Sequence, residues 1–171
     1  MSKRKEDFRE FFEMEIEPLR QLAYRLTRDW DEAEDLAQEA LVRTFRAWDR
    51  IREAERPGAY ARTILINRHR SLLRRALIEA KHLTARATSD RVEDASDPDA
   101  IVIWDELMRM PLKQRQAVVL HYFEDLPQIE VAHIMQCPYG TVNSLVHRGL
   151  ARLRTRLEPE SSPSMLRGSE A

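Results

Sequence analysis

The chain has 171 residues, of which 28 are Lys or Arg and 29 are Asp or Glu, leaving a net charge of −1. That length holds one ordinary domain or two small ones of about 70 residues each. Only four glycines stand among abundant Leu, Ala, Arg and Glu, which favours helix over sheet, and the single cysteine, Cys137, excludes an internal disulfide and a multi-cysteine zinc site.

No apolar run approaches the roughly 20 residues of a membrane-spanning helix. The basic start, residues 1–5, leads into an acidic amphipathic stretch where a signal peptide would have its apolar core. A soluble, cytoplasmic protein is expected.

Phe8, Phe11, Phe12, Ile16, Leu19, Leu22, Ala23 and Leu26 recur at helical spacing, with Pro18 expected to kink or divide that helix. Asp31 is the expected N-cap of a second helix, paired with Glu34 as a capping box, burying Leu36, Ala40, Phe45 and Trp48. Pro57 suits the first position of a third helix, which carries Tyr60, Ile64 and Ile66 inward. A further helical stretch covers Leu72, Leu73 and Leu77. Periodicity then fails and returns with Ile101, Trp104, Leu107 and Met108, restarting after Pro111 with Ala117, Val118, Leu120 and Tyr122. The expected fold class is therefore all-α, with two small helical domains. Residues 1–84 form the N-terminal domain, 85–99 a flexible acidic linker, 100–157 the C-terminal domain, and 158–171 a disordered tail rich in Ser and Pro.

The near-zero net charge hides strong segregation. Residues 29–39 hold six acids and no base, and residues 92–106 hold six acids and no base. Residues 62–81 hold six bases (Arg62, Arg68, Arg70, Arg74, Arg75 and Lys81) against Glu79 alone. The last helix carries Arg148, Arg152, Arg154 and Arg156, with no acid between Gly140 and Glu158. One such run is as readily a solvated helix face as a binding site. Two runs in separate modules suit a polyanion gripped at two places, with salt-sensitive affinity because each neutralised phosphate releases counterions.

Residues 126–135 form a short helix, with Ile129, Ala132 and Ile134 or Met135 available to pack. Gln136-Cys137-Pro138-Tyr139-Gly140 reads as a turn, and a longer helix opens at Thr141. Val142 and Val146, four apart, give it a buried face continued by Leu150 and Leu153. Thr141, Asn143, Ser144 and His147 are left near the exposed end, where the second helix of a helix-turn-helix presents side chains to base edges. A structural αα-hairpin is the competing reading of this pattern.

These residues resemble the extracytoplasmic-function (ECF) sigma factors of bacterial RNA polymerase. In the first half the resemblance rests on Leu22-Ala23-Tyr24-Arg25-Leu26-Thr27, Asp31-Glu32-Ala33-Glu34-Asp35-Leu36-Ala37-Gln38-Glu39-Ala40, and the stretch from Ala59-Tyr60 to Ile66-Asn67. In the second it rests on Met110-Pro111-Leu112-Lys113-Gln114-Arg115-Gln116, Tyr122-Phe123-Glu124-Asp125-Leu126, Gly140-Thr141-Val142, and His147-Arg148-Gly149-Leu150-Ala151-Arg152-Leu153-Arg154. The resemblance implies core RNA polymerase and promoter DNA as partners. By it, Asp35, Gln38 and Glu39 dock on the polymerase. Asn67 lies near the pocket for a flipped-out base of the downstream promoter element, with Arg62, Arg68, Arg70, Arg74 and Arg75 along the strand. Thr141, Asn143, Ser144, His147, Arg148 and Arg152 read the upstream element. The chain departs from the family pattern where Asn143 and Leu145 replace basic residues and Pro138 replaces a Ser-like cap.

No Gly-rich phosphate loop, metal-ligand cluster or nucleophile–base pair is legible, and the five histidines are scattered. No catalytic residue, metal, cofactor, membrane or small-molecule substrate is expected. Control is expected from a separate anti-sigma factor, from synthesis or from proteolysis. Two other classes remain in view: a decoy that keeps the fold to titrate an anti-sigma factor, and an ordinary helix-turn-helix repressor, which leaves the acidic second helix without a role.

Overall fold

A computed structural model describes residues 3–53, 56–81 and 97–158. The linker and tail expectations fall largely on residues 82–96 and 159–171, outside the described residues. Helices α1 (Lys3–Thr27), α2 (Trp30–Ile51) and α3 (Pro57–Ala80) build the first half. Helices α4 (Pro98–Arg109), α5 (Leu112–Val118), α6 (Gln128–Met135) and α7 (Tyr139–Leu157) build the second. A wider π-helical turn, Val119–Phe123, continues α5.

Pro18 does not divide α1, which is continuous. Pro18 and Met14, one turn earlier, are both exposed, so the Met14 carbonyl that loses its amide partner faces water. The second helix is capped by Asp29, not Asp31: the Asp29 carboxylate accepts from the backbone N–H of Glu32 at 3.0 Å. Pro57 does open α3, and the Leu72–Leu77 stretch belongs to that same helix.

Leu19, Leu22, Ala23 and Leu26 of α1 close on Ala33, Leu36, Ala37 and Ala40 of α2, all essentially without solvent contact. Phe8 and Phe11 meet Trp48 with ring centroids 5.1 and 5.0 Å away, sealing the far end. Small alanines on α2 let the backbones approach, and α3 contributes Ala61, Leu65 and Ile66. In the second half α7 lies on α4 and α5. A Cβ built on Gly149 would sit 2.3 Å from Val118 Cγ2, so this crossing admits no side chain.

The halves pack against each other. Arg115 of α5 donates to the backbone oxygen of Leu26 at 3.0 Å, and Arg25 pairs with Glu124 at 2.5 Å. The Arg28 guanidinium lies 4.8 Å from the Tyr24 ring centroid and 4.7 Å from that of Trp104. On the other side α6 lies along α3.

Candidate functional site

The helix-turn-helix is formed by α6 and α7. Gln136 closes α6 in the left-handed region (φ 53°), which turns the chain within three residues, Gln136 to Pro138. Pro138 precedes α7, so Tyr139 and Gly140 are the first turn of the second helix and not part of the turn. Val142 and Val146 are buried, as their spacing requires. Ile129 is the exception on α6: it is 64 % exposed, while Val131, Ala132, Ile134 and Met135 are inside.

Thr141, Ser144, His147 and Arg148 form one open stripe at three- and four-residue steps, with Asn143 half-buried beside it. Among the described residues Arg148 bonds only its own helix, through Nε to the Ser144 carbonyl at 3.3 Å. Arg152 differs. It pairs with buried Glu106 at 2.6 Å, and Arg156 approaches the same carboxylate at 3.8 Å. Arg152 therefore ties α7 to α4 and is only partly available to phosphate. Leu145 packs against the core, so it does not belong to the open stripe.

The basic run on α3 separates into two groups. Arg74 and Arg75 are exposed at its C-terminal end and pair with no other described residue. Arg62 is held by Glu15 at 2.9 Å, Arg68 by Glu39 at 2.6 Å, and Arg70 by the Gln116 side chain at 2.8 Å and the Met135 carbonyl at 3.3 Å. Asn67 sits in mid-helix with its amide donating to Gln136 Oε1 at 3.0 Å. Of the six expected strand-binding residues, three are thus held within the first half or by α5, and Asn67 by the turn of the helix-turn-helix.

On α2, Asp35 and Gln38 are exposed, next to Val42, which is 49 % exposed. Glu39 is half-buried and bridges Arg43 and Arg68, both at 2.6 Å. The face is acidic at its tip and neutralised at its base, with an apolar side chain alongside. That combination suits a basic partner surface.

Residues that sequence reasoning did not single out lie between the halves. Gln116 is fully buried, and His69 and Arg115 nearly so. Burial, then Arg115, then Arg70 push the His69 imidazole down to about 4. Burial also lowers the Arg115 guanidinium from its ordinary value. The one available signal was three polar residues, Gln114-Arg115-Gln116, directly before an apolar run. Among the described residues no group of three His, Cys, Asp or Glu is placed to hold a metal ion, and no helix is long and apolar enough to cross a membrane.

Two helical halves, one ending in a helix-turn-helix and the other presenting an acidic helix beside a basic one, define a DNA-directed transcription factor architecture. The family model for sigma-70 region 2 matches residues 11–77, and that for sigma-70 region 4 matches residues 101–153. The chain is 35 % identical over 154 residues to the RNA polymerase sigma-E factor of Streptomyces avermitilis, covering 89 % of this chain and 86 % of that one. It is 31 % identical over 152 residues to the ECF RNA polymerase sigma factor SigW of Bacillus subtilis, covering 80 % and 81 %. Its fold is similar to that of the sigma factor RpoE from Bartonella quintana, solved in complex with the anti-sigma factor NepR, with TM-score 0.74, 25 % identity, and coverage of 88 % and 96 %. The chain belongs to the sigma-70 family of RNA polymerase sigma factors, in its ECF branch.

Proposed function

We propose that this sigma factor docks on core RNA polymerase through the acidic α2 face and directs initiation at promoters bearing two recognised elements. In this reading Asp35 and Gln38 make the exposed polymerase contacts and Glu39 orients Arg68 beside them. The α3 residues Asn67, Arg70, Arg74 and Arg75 follow a separated downstream strand, where an amide reads a base edge hidden in closed duplex. The stripe Thr141, Ser144, His147 and Arg148, with Asn143, reads the upstream duplex in the major groove. Arg62, Arg68 and Arg152 act chiefly as framework through their ion pairs, shaping the surfaces the others present.

The observation that carries the reading is the open polar stripe on α7, which no other described residue covers. The protein works by positioning polymerase and opening DNA, without a catalytic residue, cofactor, metal or small-molecule substrate of its own. Its place of action is the cytoplasm, where the polymerase is. An anti-sigma factor is the expected negative regulator, and the cleft between α3 and α6 offers it exposed Ile129 and Tyr139.

Run-off transcription with core polymerase and a genomic promoter library tests the reading. Initiation from a discrete promoter set is expected. Core binding without initiation on any template would favour the decoy.

A further inference from the structure

Gln116 joins the two halves through every hydrogen-bonding atom of its amide. Its Oε1 accepts from Arg70 Nε at 2.8 Å, while its Nε2 faces the Ile66 carbonyl at 3.4 Å and His69 Nδ1 at 3.3 Å. With Oε1 taken by an arginine, which only donates, Nε2 must donate to the histidine. Nδ1 of His69 must then be bare. Protonating it would set N–H against N–H inside a site where Gln116 is fully buried and His69 is 1 % exposed.

Among the described residues no carboxylate stands ready to receive that proton's charge. The groups acting on the imidazole are Arg115 from α5 and Arg70 from its own helix, both positive. The acids of the neighbouring elements are engaged elsewhere: Glu15 of α1 with Arg62, Glu39 of α2 with Arg68, Glu124 after the π-turn with Arg25, and Glu130 of α6 with Arg56. On the α6 side Cys137 lies near Arg70, and His133 is exposed on the outer cleft.

The same interface occupies two side chains of α3. Asn67 is held by Gln136, and Arg70 by Gln116 and the Met135 carbonyl, so a DNA strand would have to displace the second half to reach them.

We propose that the Gln116–His69 contact is a proton-sensitive autoinhibitory latch, which holds the two halves closed over Asn67 and Arg70 while His69 is neutral and releases them when His69 takes up a proton. The masking part rests on α3 being the strand-binding helix; the latch itself does not. The sign follows from linkage. The closed form binds the proton poorly and the open form binds it at the ordinary value, so closure is strongest above about 6.5 and is lost progressively as pH falls toward 4. With 6.5 open and about 4 closed, the open-to-closed ratio rises about tenfold between pH 7.5 and 5.5.

The test uses the full chain at pH 7.5 and 5.5, with small-angle scattering for closure and anisotropy of a fluorescent single-stranded oligonucleotide for access to α3. The wild type is expected to expand and bind the strand more tightly at pH 5.5. His69→Gln, which keeps a neutral acceptor toward Gln116, should stay compact at both. Gln116→Glu, which offers an acceptor to a protonated His69, should flatten or reverse the response. Proton titration of the His69 ring signals in the wild type gives a readout independent of any variant's folding, with that ring expected to titrate well below the ordinary histidine value. Equal wild-type dimensions at both pH values, or an expansion that His69→Gln reproduces, would overturn the latch. Expansion without any strand binding in any state would overturn the masking and the reading of α3 with it.

Discussion

Arg115 crosses from α5 to donate a hydrogen bond to the backbone oxygen of Leu26, at the end of α1, 3.0 Å away. Its second terminal nitrogen donates to the part-buried Met108 carbonyl at 3.0 Å, so one guanidinium satisfies acceptors from both halves of the chain. No carboxylate pairs with it among the described residues. Its partners are the two carbonyls and the Met108 sulfur, 3.6 Å from the first terminal nitrogen.

Arg115→Met keeps most of the side-chain volume and removes both donors. It should destabilise the closed chain by about 2–3 kcal/mol, the cost of leaving two acceptors without a charged donor. Urea unfolding monitored by circular dichroism checks this. A change below about 0.5 kcal/mol would mean that water replaces the guanidinium freely.

Gly149→Ala sets two effects against each other. Replacing glycine inside a helix with alanine is worth about 1 kcal/mol in favour. The added Cβ, however, meets Val118 Cγ2 at 2.3 Å, and Val118 is fully buried. Overpacking at about 1–3 kcal/mol should win, lowering the melting temperature. Combining it with Val118→Ala should recover part of the loss, and a double variant no better than the single one would disprove the clash.

Arg148 and Arg152 lie one turn apart on α7, yet opposite behaviour is expected of them. Arg152→Ala leaves Glu106, 7 % exposed, without its nearest cation, so its main effect should be lower stability. Arg148→Ala should leave the unfolding midpoint unchanged, weaken duplex binding across sequences and reduce its salt dependence by about one counterion. Salt titrations of duplex affinity beside denaturation curves separate the two.

The sequence pattern and the structure part company at particular residues. The all-helical class, the Leu36, Ala40 and Trp48 positions of α2, the Val142 and Val146 positions of α7 and the helix-turn-helix were legible because apolar periodicity reports a buried face directly, whereas Phe45 is only half-buried. Asp29 and Asp31 are both good caps two residues apart, and only the backbone geometry at Asp29 decides between them. Pro18 reads as a breaker because sequence does not say that its face of α1 is wet. The largest difference lies at Arg70, Asn67 and Gln116. A basic or amide residue on a helix reads as solvent-facing, and nothing local shows that a segment some 46 to 69 residues away will cover it. Ile129 errs the other way: an apolar residue in an amphipathic helix reads as core, and it is exposed on the cleft.

The exposed pair on α2 gives the cleanest test of docking. Asp35→Ala with Gln38→Ala removes a charge and an amide that hold no contact with the other half, whereas Glu39 would also release Arg43 and Arg68. Core-polymerase affinity should fall by about 1–2 kcal/mol with helicity unchanged. An unaltered titration against labelled core enzyme would take this face out of the interface.

Asn67 and Asn143 should prove separable, because they stand on elements suited to different forms of DNA. Asn67 lies midway along α3 between Arg62 and Arg70, on a helix whose free cations, Arg74 and Arg75, continue beyond it. Its amide is useful to a base only when that base has left the duplex. Asn143 lies in the first turns of α7, beside the stripe that a major groove would face, where an amide pairs bidentately with adenine. Asn67→Ala should therefore impair initiation on closed duplex templates and change base preference in the melted downstream element, with upstream duplex affinity nearly unchanged. Asn143→Ala should relax preference at a single upstream base pair, at a cost of about 1–3 kcal/mol if the contact is bidentate. Promoter-library transcription with each variant, beside binding of single-stranded and duplex probes, measures both. The loss of the Gln136 contact in Asn67→Ala also loosens closure, so strand affinity is to be compared at pH 5.5, where the proposed latch holds the wild type least tightly. Shifts at the same promoter positions in both variants would refute the division of labour. No shift in either, with both chains folded, would leave the protein binding polymerase without reading promoters, which is the behaviour of a decoy.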